Sequence, residues 1–221
     1  MPMKVRLTFK KTDEAVFISH LDISRLFVRA LNRAGIKVKY TQGFNPHAYI
    51  VFGVPLSLGY ESICERVDFE VVSNETPQEI IERLNRAMPG GIEITECLEP
   101  QKKFKEIGFA RWEITAEKDG PISDEEIERM RELFSSDEII ITRETKRTKG
   151  EVNLIEKSRG IEVGREGENA VKITAALSSR PEDVLNPEYV VRAACEKLGM
   201  EFYDVFYRRI EFFDENMEIF R

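Results

Sequence analysis

Apolar residues change period several times along the chain, and each change marks an element. Val5, Leu7 and Phe9 alternate with Arg6, Thr8 and Lys10, the two-residue repeat of a half-buried strand over 5–10. From Ser19 the period lengthens: Ile23, Leu26, Phe27, Ala30 and Leu31 recur at helical spacing, which predicts a helix over 19–34. Ser19 is placed to cap it, Asp22 stands in the capping-box position and Gly35 ends it. Residues 36–40, 49–54 and 66–72 read as strands, separated by turn-rich stretches at 41–47 and 55–60. A second amphipathic helix spans 76–88, opened by Thr76, Pro77 and Glu79 and closed by Gly90-Gly91, and 92–97 forms a closing strand.

The same order then repeats. Residues 110–116 read as a strand, and 124–134 as a helix capped by Ser123 with Glu126 in the capping-box position. A strand at 138–143 follows, with 152–155 as its hairpin partner or continuation, then a strand at 170–177. A helix opened by Asn186-Pro187 runs to Leu198, and a strand covers 205–213. The expectation is an α+β fold of two tandem ferredoxin-like (βαββαβ) modules with antiparallel sheets, at 1–100 and 109–221, joined by a polar connector at 99–108. The halves share element order, not residue identity.

Composition narrows the function classes. Hydrophobic residues make up 42% of the 221, enough for a core, and no apolar run has membrane-span length. The opening residues enter a strand pattern directly, without a signal-peptide apolar region, so a cytoplasmic location is expected. Cys64, Cys97 and Cys195 are far apart, with no zinc or iron–sulfur spacing, and read as free thiols. There is no phosphate-binding G-x-x-x-x-G-K-[ST] run, no G-x-G-x-x-G and no G-x-S-x-G elbow. No cofactor or metal is expected in this chain, and its enzyme status leans to the negative.

Charge changes the picture. The net charge is −7, yet residues 1–60 hold nine lysines and arginines against three acids, +6, leaving −13 for the rest. Both histidines lie in this basic part. Arg25, Arg29 and Arg33 sit four residues apart, on one helix face with Asp22 near its start. Such a stripe binds phosphates through guanidinium forks, or is simply a solvated face. Tyr40 and the loop Gly43-Phe44-Asn45-Pro46-His47 form a second candidate surface, where Phe44 either stacks on a base or plugs the core. His20 and His47 are candidates for an acid–base pair in RNA cleavage, for a metal site with Asp22 or Glu61, or for two structural hydrogen bonds. A basic run at 143–149 either touches phosphate or forms an exposed hairpin tip.

The stretch Phe17-Ile18-Ser19-His20-Leu21-Asp22-Ile23-Ser24-Arg25 brings in a resemblance. With Tyr40, Gly43-Phe44-Asn45-Pro46-His47, Pro55-Leu56 and Gly59, it resembles the bacterial radical-SAM-linked domain family of unknown function. The match spans about residues 3–72, and Arg180-Pro181-Glu182-Asp183 extends it weakly into the second half. Members of that family stand alone or form the C-terminal part of a radical SAM protein, often beside ribonuclease G-type and ribosomal-protein genes. The resemblance implies an accessory subunit that binds RNA (tRNA or rRNA) or another anionic substrate for a radical SAM protein on a separate chain. S-adenosylmethionine and the iron–sulfur cluster would belong to that partner. The alternatives are a metal-independent endoribonuclease using His20 and His47, and a pure protein–protein adaptor.

Overall fold

A computed structural model describes residues 2–144 and 149–221, so most of the basic run at 143–149, residues 145–148, lies outside the described residues. The fold is mixed α/β, with antiparallel strand pairing and four α-helices among the described residues. The chain divides into two compact units, Met1–Glu106 with Arg221 and Ile107–Phe220.

The first unit runs β1 (Met3–Lys11), α1 (His20–Arg33), β2 (Ile50–Phe52), β3 (Glu61–Val71), α2 (Pro77–Ala87) and β4 (Ile92–Leu98). Its sheet is ordered β4-β1-β3, with β2 also paired to β3. Val5, Leu7 and Phe9 of β1 and Val67, Phe69 and Val71 of β3 face the helices and meet Ile23, Phe27, Leu31, Ile80 and Leu84 in one core. α1 begins because the Ser19 hydroxyl accepts from the Asp22 N–H (3.2 Å), relieving an unpaired donor of the first turn. α2 carries a full capping box, in which Glu79 accepts from the Thr76 N–H (2.8 Å) and the Thr76 hydroxyl accepts from the Glu79 N–H (3.3 Å).

β3 starts at Glu61, five residues before the predicted strand. At its start Ser62 and Cys64 take the buried positions and Ile63 an exposed one, and residues 64–67, Glu65 and Arg66 among them, are all buried, so the sequence shows no apolar–polar alternation there. On the face away from the helices, Arg6 forms a fork on Asp68 (2.8 and 2.7 Å) and donates to the Lys102 carbonyl (2.9 Å). Phe104 stacks on the same guanidinium at 4.4 Å. The polar stretch read as a connector therefore packs on the first unit through Lys102 and Phe104.

Residues 36–40 do not form the separate strand expected of them. Lys39 donates to the Glu70 carbonyl (2.8 Å), and Val72 donates to that of Lys37 (2.9 Å), so 37–39 run along β3 from 72 towards 70. β2 then continues the same line, with Ile50 opposite Phe69 and Phe52 opposite Val67. Between them the chain leaves the sheet and returns, closed by the Tyr40–Ala48 bridge and by Tyr49 donating to the Lys39 carbonyl (2.9 Å).

The second unit holds β5 (Phe109–Glu117), α3 (Asp124–Phe134), β6 (Ile140–Glu144), β7 (Lys149–Asn153), β8 (Ser158–Glu166), β9 (Ala170–Ser178), α4 (Glu188–Leu198) and β10 (Asp204–Phe213). Its sheet is ordered β10-β5-β9-β8, while β6 and β7 form a hairpin of their own. The strand expected at 138–143 is β6 of that hairpin, and β8 fills the sheet position after α3. Its residues SRGIEVGRE carry two glycines and four charges, a weak strand pattern, and it is ordered by pairing along β9. Trp112, Ile114, Ile173, Val190 and Phe212 are buried here.

Candidate functional site

The arginine stripe of α1 is real as geometry but is not one uniform surface. At its start the Ser19 hydroxyl donates to the Asp22 carboxylate (2.7 Å), and Arg25 pairs with that carboxylate at 3.1 Å. The Ser19 hydroxyl first, and the Arg25 guanidinium second, hold the Asp22 carboxyl below its ordinary range. Arg25 is thus partly neutralised by its own helix. Further on, Arg29 and Arg33 turn towards α2 and line a groove of about 750 Å³ with Arg83 and Arg86. Leu26, Ala34, Ala87, Met88 and Pro89 complete the lining, which holds no carboxylate.

Three of the four guanidiniums are held in place. Arg33 donates across the groove to the Ala87 carbonyl (2.7 Å), Arg83 to the Glu75 carboxylate (3.1 Å) and Arg86 to the Glu82 carbonyl (3.3 Å). A guanidinium has five N–H donors, so each keeps donors for a ligand. Arg83 and Arg86 were missed in the sequence. Their three-residue spacing on α2 was visible, but that they face α1 depends on tertiary packing.

The second surface is the excursion at 41–47. Thr41 donates its N–H to the His47 carbonyl (2.8 Å), and the Thr41 hydroxyl accepts from the His47 N–H (3.1 Å). The His47 Nδ1 lies 3.1 Å from the Thr41 hydroxyl and 3.2 Å from the Asn45 carbonyl. Gly43, at φ +131°, takes a backbone conformation side chains resist. Phe44 is fully exposed, and Tyr40 is 45% exposed. The core-plug reading of Phe44 is therefore excluded.

His20 occupies a third place, at the first position of α1, with its ring edge-on to Phe52 at 5.4 Å. It lines a small cavity of about 20 Å³ with the buried Lys11 and Glu65. The Lys11 ammonium donates to the Val16 carbonyl (2.9 Å).

The structure corrects the expectation that His20, His47, the arginines and the glycine-bounded turn form one patch. His47 and Phe52 are separated by five residues of largely extended chain, about 16 Å at a strand's rise. Phe52 faces the helices, so alternation turns positions 47, 49 and 51 the other way. The two imidazoles therefore lie at opposite ends and opposite faces of the same edge and do not form an acid–base pair. Along α1, His20 and Arg33 are about 20 Å apart at the helical rise. Glu61 opens β3 beside the end of β1, near Ser62 and Lys11, away from the 41–47 loop.

The described residues hold no group of three or more His, Cys, Asp or Glu arranged to bind a metal. Cys64 and Cys97 are buried and Cys195 is half-buried. Burial pushes the Cys97 thiol up to about 11. No helix among the described residues is long and apolar enough to cross a membrane.

A family model described as "Uncharacterized protein conserved in bacteria (DUF2344)" matches residues 4–187. No curated protein matches the chain. Among solved structures, an unknown protein from Galdieria sulphuraria is similar at 13% identity, over 95% of this chain and 99% of that one, with a TM-score of 0.28. A likeness at that score carries no argument about fold or function.

Proposed function

The chain belongs to that family of bacterial proteins, and we propose that it is a non-catalytic cytoplasmic subunit that binds RNA, or another anionic substrate, for a separate radical SAM protein. The observation that carries this reading is the groove in which Arg29, Arg33, Arg83 and Arg86 converge without a lining carboxylate. Guanidinium forks match phosphate oxygens two at a time, and pre-oriented donors lose little freedom on binding. S-adenosylmethionine and the iron–sulfur cluster belong, in this reading, to the partner chain. The link to radical SAM chemistry rests on the motif resemblance around His20 and Gly43–His47.

A pair of ferredoxin-like modules is part of the same reading. In each unit, with the β6–β7 hairpin set aside, the sheet runs fourth, first, third, second strand, the order of a βαββαβ module.

The test is a mobility-shift series with bulk tRNA and rRNA fragments at rising salt. Binding should weaken steeply with salt and be lost when Arg29 and Arg33 are both changed to Ala. Unchanged binding by that variant would refute the assignment. The adaptor reading keeps one observation in its favour, the fully exposed Phe44. It predicts that Phe44→Ala abolishes co-purification of a radical SAM protein while the arginine variant does not.

A further inference from the structure

The groove between α1 and α2 combines two chemistries that one ligand class shares. Its rims are guanidiniums, Arg29 and Arg33 from α1 and Arg83 and Arg86 from α2. Its remaining lining is Leu26, Ala34, Ala87, Met88 and Pro89, which offers apolar carbon surface. A volume of about 750 Å³ lies within the range of sites that hold a small organic ligand.

The positive charge here does not come from the helices. Arg33 is the last residue of α1 and Ala87 the last of α2, so the groove sits where the backbone carries partial negative charge. Each helix end contributes about −0.5 and the Glu75 carboxylate paired with Arg83 contributes a further −1, which leaves the four arginines a net of about +2. A site that holds anions against two unfavourable helix ends depends steeply on how many guanidiniums remain. Removing two takes the net from about +2 to about zero.

We infer that this groove seats one unpaired nucleotide of a single-stranded RNA, with its base against the Leu26–Met88–Pro89 surface and the phosphates on either side held by the arginine rims. The inference rests on the RNA reading given above and deepens it. In a duplex the bases are stacked and paired inward, so phosphates could reach the rims but no base could reach the apolar lining. An unpaired base presents its face freely, and such faces pack against apolar side chains and arginine planes. Arg33, tied to the Ala87 carbonyl at 2.7 Å, crosses the groove and closes one end of the seat.

Fluorescence anisotropy tests this with the full chain and four probes: a short oligouridylate, an abasic strand of the same length, an RNA duplex of the same length, and inorganic polyphosphate. The oligouridylate should bind with a log–log salt slope of about −1.4, from about −0.7 for each of the two phosphates flanking the seated nucleotide. The abasic strand should bind about fivefold more weakly, and the duplex more weakly than the oligouridylate. Arg29→Gln with Arg86→Gln, both exposed and so tolerated by the fold, should lower oligouridylate affinity at least about tenfold and bring the slope from about −1.4 towards zero. An unchanged melting temperature confirms that the variant is folded. Equal binding of duplex and single strand, or of abasic and base-bearing strands, overturns the inference. Arginine-dependent capture of polyphosphate without any nucleic acid binding also overturns it, while the broader anionic-substrate reading survives. If no probe binds, both fall.

Discussion

Glu126 offers the sharpest test of the local electrostatics, because three donors converge on one carboxylate. It accepts from the Ser123 N–H (2.8 Å), the Ser123 hydroxyl (3.0 Å) and the Lys118 ammonium (2.5 Å). The Lys118 hydrogen bond first, and the Ser123 N–H second, hold its carboxyl down at about 2, against an ordinary 4.5. At about 1.36 kcal/mol per pKa unit, that difference corresponds to at most about 3 kcal/mol. The side chain is 24% exposed, so water screens part of the interaction, and about 1–2 kcal/mol is the expected contribution. The folded-state pKa is depressed, so this stability is present above about 4.5 and is lost as pH falls towards about 2. Glu126→Gln should therefore lose about 1–2 kcal/mol in urea unfolding at neutral pH. Repeated at pH about 3.5, the gap between the two proteins should shrink by roughly half or more. A gap that does not change with pH, or one below about 0.3 kcal/mol at neutrality, would show that the carboxylate is solvated and the donors are incidental.

Three further outcomes follow from the packing. Gly91 has φ +78°, and an added Cβ would meet the Thr12 carbonyl and come 2.8 Å from the Ala15 Cβ, so Gly91→Ala should cost about 2–3 kcal/mol in denaturant melts. Gly35→Ala, with a similar φ but open space, should cost clearly less. Thr76→Ala removes the α2 cap and should cost about 1 kcal/mol, read by thermal melting. The Cys97 thiol, with its pKa near 11, should resist iodoacetamide at pH about 8 in the native protein and react once urea exposes it.

What the sequence revealed, and what it hid, divides by the range of the forces involved. α1 and α3 were legible because period, cap and stop lie within a few residues: Ser19 with Gly35, and Ser123 with Glu126. β8 was not, because SRGIEVGRE is no strand by itself and is ordered by hydrogen bonds along β9. The start of β3 was hidden for a different reason, since its inward positions are Ser62 and Cys64 while Ile63 is exposed, so the sequence shows no inward apolar alternation there. The candidate site follows the same division. Arg29 and Arg33 could be placed on one face by counting residues, but Arg83 and Arg86 join them only through the packing of α2 on α1. The separation of His20 from His47 depends on how residues 37–52 lie along β3, a register no local pattern reports.

The strand that leaves β3 at Lys39 and resumes at Ile50 carries its own closure, the Tyr40–Ala48 bridge. Residues 42–46 lie beyond that closure, so a change in their length is expected to leave the register of β2 on β3 in place. The edge thus works as a socket, in which an inserted epitope or fluorophore-bearing peptide should be carried while the frame around it keeps its register.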